Sequence, residues 1–208
     1  MASQGSESDR LRVNLRRGDP GALAEIWSHY RLRLRQMLRL RIDSRVAARV
    51  DPSDVLQDVY LDAQRQLPAY LEGEAVGCYV WLRGLAEERL WNVHREHLGA
   101  KRRSAWREVE LPQQSSAMLA RQLVAGGSTP SRALRDEELR LRVQQALAQL
   151  PADDREVILM RHFEDMSNRE VAETLGLSDS GATKRYGRAI FRLKQLLLGD
   201  PQPGESRP

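Results

Sequence analysis

Five cations, Lys184, Arg185, Arg188, Arg192 and Lys194, follow a short polar turn in the stretch LGLSDSGATKRYGRAIFRLKQLL, Leu175 to Leu197. Cations at this spacing on a helix can neutralise nucleic-acid phosphates while the helix's first turns reach base edges. The flanking residues supply what such a helix needs. Ser167 and Glu170 form a capping box for a first short helix, Gly176 provides the left-handed residue of a tight turn, and Ser178 caps the next helix. In that second helix Ala182, Tyr186, Ala189 or Ile190, Leu193 and Leu197 share one face; Ser180, Gly181, Thr183, Lys184, Gly187 and Arg188 share the other. Gly187 costs about 1 kcal/mol relative to Ala inside a helix, and close approach to a phosphate backbone would offset it. Charge alone would equally describe a basic, solvated face of a four-helix bundle. Caps, glycine turn and spacing together favour a helix-turn-helix, with Ser180, Gly181, Thr183, Lys184, Arg185 and Arg188 as its DNA-binding candidates.

A second constellation is acidic. DPSDVLQDVYLDA puts Asp54, Gln57, Asp58 and Leu61 on one helical side and Val55, Val59 and Ala63 on another. An acidic stripe on an otherwise basic chain suits a basic protein partner; a solvated face with helix-start acids at Asp51 and Asp54 fits the spacing equally well. Catalytic signatures are missing. There is no phosphate-cradling glycine loop, no nucleophile elbow and no paired-carboxylate pattern, so no enzyme and no catalytic residue is expected. His94, His97 and Cys78 are too scattered for a strong zinc signal, and neither metal nor cofactor is expected.

Elements must hold these residues in place. Apolar residues recur three and four apart, which predicts an all-α fold. The first helix begins at GDPGALAEIW with Asp19 as its cap and Pro20 in its first turn, and Leu23, Ile26, Trp27, Tyr30, Leu34 and Leu38 mark one face. A second runs from DPSDV with Pro68 at or just beyond its end, and a third runs through CYVWLRGLAEERLWNVHREHL to the basic patch KRRSAWR. Pro, Gln, Ser and a Gly pair then mark a linker over 108–131, with one short helix around Met118 to Leu123. Four helical stretches follow, roughly Asp136 to Leu150, Asp153 to Phe163, Asn168 to Leu175 and Asp179 to Leu198. Residues 1–17 and 200–208 read as disordered tails.

The totals fit this picture. A chain of 208 residues holds one large or two small domains, and 41% hydrophobic residues suffice for real cores. The formal net charge of only +4 makes the clustering of charge matter more than its sum. One cysteine rules out an internal disulfide, and with no apolar leader at the N-terminus and no membrane-length run, a cytoplasmic location and no membrane insertion are expected.

Asp54-Val55-Leu56-Gln57-Asp58-Val59-Tyr60 resembles the D-x-x-Q-(E/D)-x-(F/Y) segment of the extracytoplasmic-function sigma factors of bacterial RNA polymerase. Trp81 and Leu82 match the family's F-x-x-W-L helix, with Cys78 in place of its usual aromatic. The run LPADDREVILMRHFEDMSNREVAETLGLSDSGATKRYGRAIFRLKQLL is similar to sigma domain four without a gap. The order of the two blocks makes the resemblance specific. It implies two small helical domains, a domain-two-like bundle over 18–107 and a domain-four-like helix-turn-helix bundle over 132–199, joined by a flexible linker.

The resemblance further implies that Asp54, Gln57, Asp58 and Leu61 bind the clamp helices of the largest subunit of core RNA polymerase. Domain two would open the minus-ten element of promoter DNA, where a base must leave the stack. Candidates are the loop Glu72 to Gly77 and the helix bearing Asn92 and Arg95, followed by Lys101, Arg102 and Arg103. Trp81 and Trp91 could stack on bases, although helical period favours Trp81 as core. Glu87 and Glu88 stand where the family commonly has Arg and Asn, and Thr183 where a cation is frequent. Domain four would read the minus-thirty-five element. Twenty-odd linker residues extend to roughly 70–80 Å, enough to span about two DNA turns. The resemblance also admits an anti-sigma factor as a partner. A free-standing helix-turn-helix regulator with an N-terminal sensing or dimerisation domain is the alternative.

Overall fold

The computed structural model describes residues 10–98 apart from 12, 18, 20, 74 and 75, together with 116, 118, 119 and 132–198. The chain divides into two compact units, Met1–Val109 and Glu110–Pro208. The described residues are helical with short turns, as the apolar spacing predicts, and contain no strand. None of their helices is long and apolar enough to cross a membrane.

The first unit is built on α1 (Ala22–Arg39), the short α2 (Ser44–Ala47), α3 (Pro52–Glu72) and α4 (Cys78–Leu98). Ile26, Tyr30, Leu34 and Met37 of α1 recur at helical period and are fully buried. They form the core with Val55, Val59 and Ala63 of α3 and with Tyr79, Leu82 and Ala86 of α4. Arg83 is also buried in α4 at 1% exposure, and Glu87 one turn on supplies its counter-charge at 2.8 Å. A buried guanidinium without such a partner is strongly destabilising, which gives Glu87 a structural role within the helix.

Several boundaries depart from the expectations. Residues 10, 11 and 13–16 are helical and Leu11 and Leu15 are buried, so the tail expected over 1–17 does not hold there. The i, i+4 leucine pair makes the difference, because burial outweighs the polar residues around it. Helix α1 begins after Gly21; Asp19 instead accepts the Gly21 amide at 2.9 Å, one turn early. Pro68 lies inside α3, which continues to Glu72. The last turn is held by Tyr70, whose ring stacks on Trp81 at 4.0 Å and whose hydroxyl donates to the Val76 carbonyl at 2.7 Å. Those contacts outweigh the one backbone hydrogen bond that Pro68 forfeits.

The second unit contains α5 (Arg132–Gln149), α6 (Ala152–His162), α7 (Asn168–Leu175) and α8 (Asp179–Leu198). Val143, Val157, Ile158, Leu159, Val171, Ala182, Ala189 and Leu193 make its core. Arg155 donates to the carbonyls of Leu147 and Leu150, each at 2.9 Å, satisfying the otherwise orphaned end of α5. Helix α8 packs on α6, α7 and α5. Of the linker expected over 108–131, only residues 116, 118 and 119 are described; they are helical, and Ser116 and Leu119 are buried. The rest of that segment and 199–208 lie outside the described residues.

Candidate nucleic-acid interface

The turn between α7 and α8 is made as its residues dictate. Ser167 Oγ accepts from the Glu170 amide at 3.2 Å, and the Glu170 carboxylate accepts from the Ser167 amide at 2.7 Å. Two orphan donors are thereby satisfied at the start of α7. Gly176 ends the helix at φ 63°, and Leu177 N–H returns to the Ala172 carbonyl at 2.8 Å. Ser178 Oγ then accepts from the Gly181 amide at 3.1 Å, opening α8. Glycine at 181 is favoured sterically, since a Cβ would sit 3.2 Å from Ser178 Oγ.

Helix α8 divides its five cations between two tasks. Lys184, Arg188 and Lys194 are exposed. Among the described residues no ion pair engages Lys184 or Arg188. Arg185 lies 3.6 Å from Asp153, and Arg192 pairs with the buried Asp154, both acids in the first turn of α6. These two arginines therefore tie the helix to its own unit, and Arg185 is only partly exposed. Ser180 and Thr183 are exposed beside Lys184, with Gly181 partly buried.

Further contacts seat α8. His162 of α6 lies 2.7 Å from the Tyr186 hydroxyl through Nε2, with the rings stacked at 5.7 Å. Burial, and then the neighbouring Arg161, lower the His162 pKa to about 4; burial raises that of Tyr186. Asn168 at the start of α7 reaches across to the first turn of α8, donating to the Asp179 carbonyl at 2.9 Å. Asn168, Asp153, Asp154 and His162 were missed as determinants of this face. The paired acids opening α6 were the available signal; their partners stand 32 and 38 residues away.

In the first unit Asp54, Gln57 and Leu61 are exposed along α3, with Leu61 at 49%, and Asp58 is half-exposed. Asp51 caps the helix, and the Ser53 amide it accepts holds its carboxyl below the usual carboxylate range. Asp58 is not wholly available to a partner, because Arg89 of α4 donates to it. On α4, Asn92 is partly buried and Arg95 is exposed, with its guanidinium 4.8 Å from the centre of the Trp91 ring. Trp91 is 52% exposed. Trp81, expected in the core, is only partly buried and lies against Tyr70, whose face completes its packing. Lys101, Arg102 and Arg103 lie outside the described residues, as do two positions of the loop 72–77.

Residues 140–193 match the family model described as sigma-70, region 4. The chain is 26% identical over 198 residues to the ECF RNA polymerase sigma factor SigD of Mycobacterium tuberculosis, covering 95% of this chain and 87% of that protein. Together these matches support an extracytoplasmic-function sigma factor. The RNA polymerase sigma factor SigZ of Bacillus subtilis is 24% identical to this chain over 177 residues, 85% of this chain and 88% of that one. The solved structure of CnrH, in complex with the cytosolic domain of CnrY, shares its fold with a TM-score of 0.54 at 22% identity, covering 93% of this chain and 99% of that one.

Proposed function

We propose that this sigma factor binds core RNA polymerase through the outward face of α3 and directs initiation at specific promoters, the α7–α8 unit reading the upstream element. The role is regulatory rather than catalytic. Exposed Lys184 and Arg188 on a helix held from behind by Arg185 and Arg192 carry the reading. Two outward cations beside exposed Ser180 and Thr183 suit a duplex groove: the cations set the helix against phosphates and the first turns meet base edges.

The first unit takes the other share. Asp54 and Gln57 offer acceptors to a basic helical partner, with Leu61 adding apolar contact. Trp91 and Arg95 on α4 present an exposed ring and a cation, which suits an unstacked base and its phosphate. Neither interface need be tight alone, because tethering raises the effective concentration of the second. The anti-sigma partner admitted by the family resemblance would act by occupying these same faces.

Replacing Lys184 and Arg188 together by Ala tests the upstream contact. The polymerase complex carrying K184A/R188A should lose protection of the upstream promoter element, and its binding should become less salt-dependent by about two in log–log slope. An unaltered footprint would move recognition to another surface.

A further inference from the structure

Resting on the reading of α8 as the helix that enters the groove, we infer that Thr183 recognises a thymine through its γ-methyl group, its hydroxyl hydrogen being withheld by Asp179 and Asn168. Thr183 is the fifth residue of α8, within the turns that meet base edges in this motif, and it is exposed. A hydroxyl carries one hydrogen. Here it points to the Asp179 carbonyl at 2.9 Å, with Asn168 Oδ1 at 3.3 Å as a second acceptor. Both lie within the protein, so no hydrogen remains for a purine N7 or O6 or a thymine O4.

Asn168 is itself fixed. Its Nδ2 donates to the same Asp179 carbonyl at 2.9 Å, which turns its oxygen towards Thr183. It is a positioning residue, acting through Thr183 from the neighbouring helix. The Ser180 hydroxyl lies 3.2 Å from Ser178 Oγ, a contact in which either oxygen can donate. What this part of the helix offers from outside is chiefly a methyl group, flanked by the charge of Lys184. In the major groove the thymine 5-methyl is the apolar feature that such a group can touch.

The test uses the full chain assembled with core polymerase on a promoter that the complex selects and footprints. Each thymine of the upstream element is replaced singly by deoxyuridine, which removes only the 5-methyl. At one position the wild-type complex should bind about fourfold more weakly, the value of roughly one buried methyl. Thr183→Val, which keeps the methyl, should show the same loss at the same position. Thr183→Ser should bind the unmodified promoter about fourfold more weakly and be indifferent to that deoxyuridine. A structural role for Thr183 would not produce this base-by-base pattern.

A T183S complex that keeps the wild-type deoxyuridine profile would overturn the inference, as would a T183V complex that loses affinity while T183S keeps it. A clear upstream footprint with a flat wild-type profile would overturn Thr183 alone. Absence of any upstream footprint by the wild-type complex would instead defeat the underlying reading of α8, and the inference with it.

Discussion

His162 and Tyr186 make the seat of α8 sensitive to acid. The ring stack and the 2.7 Å contact hold the imidazole in a partly desolvated place, and its pKa falls to about 4 in the folded protein against about 6.5 in an open chain. Between those values the unfolded chain binds more protons, so stability is complete above about pH 6.5 and declines as pH falls towards 4. The loss should reach the order of 1–2 kcal/mol by pH 5. Denaturant midpoints of His162→Gln across this range should fall less steeply than those of the wild type; parallel curves would remove His162 as their cause. Two glycines make opposite predictions at the same scale. Gly176→Ala should cost about 1–2 kcal/mol, because the left-handed backbone at φ 63° penalises any Cβ. Gly187 has ordinary helical surroundings and its added Cβ would meet nothing within 4 Å. Gly187→Ala should therefore stabilise the free chain by about 1 kcal/mol while weakening upstream promoter contact. Stabilisation with unchanged affinity would take residue 187 out of the interface.

Helices α3 and α8 each combine an apolar face that builds a core with an exposed polar face. On α3, Asp54→Ala together with Gln57→Ala should weaken core-polymerase affinity, as read by titration of the polymerase, and leave the melting temperature unchanged. Asp58→Ala should behave differently, since it also frees Arg89 of its carboxylate, and some of its effect should appear in stability. Equal affinities for wild type and the double variant would discard this face. What the sequence disclosed at this scale was local in origin. The Ser167–Glu170 box, the Gly176 stop and the four helices of the second unit depend on residues within a few positions of one another, and they stand nearly where spacing put them. The misreadings arose where distant residues decide. Leu11 and Leu15 become helical by burial, Pro68 is tolerated because Tyr70 stacks on Trp81, and Arg192 is a structural anchor because Asp154 waits 38 residues upstream. Spacing showed which faces of α3 and α8 point outward. It could not show that Arg185 and Asp58 on those faces already have partners.

At the scale of the whole molecule, a net charge of only +4 conceals local clusters, an acidic outward stripe on α3 and outward cations on α8. Such a chain brings only a few phosphate contacts to a duplex through α8 alone, too few for tight binding by that helix by itself. It is well suited to a shared task in which a large protein partner is held by one unit and a duplex is read by the other, each contact raising the chance of the next. A regulator that acts alone would instead bind its duplex site without polymerase, as a two-fold dimer on paired half-sites. Transcription in vitro with purified bacterial core RNA polymerase separates these behaviours most directly. The account predicts discrete transcripts from a subset of genomic promoters only when chain and core enzyme are both present, and their loss when Asp54 and Gln57 are replaced. No specific transcript from any genomic template, with tight duplex binding by the chain alone, would contradict it.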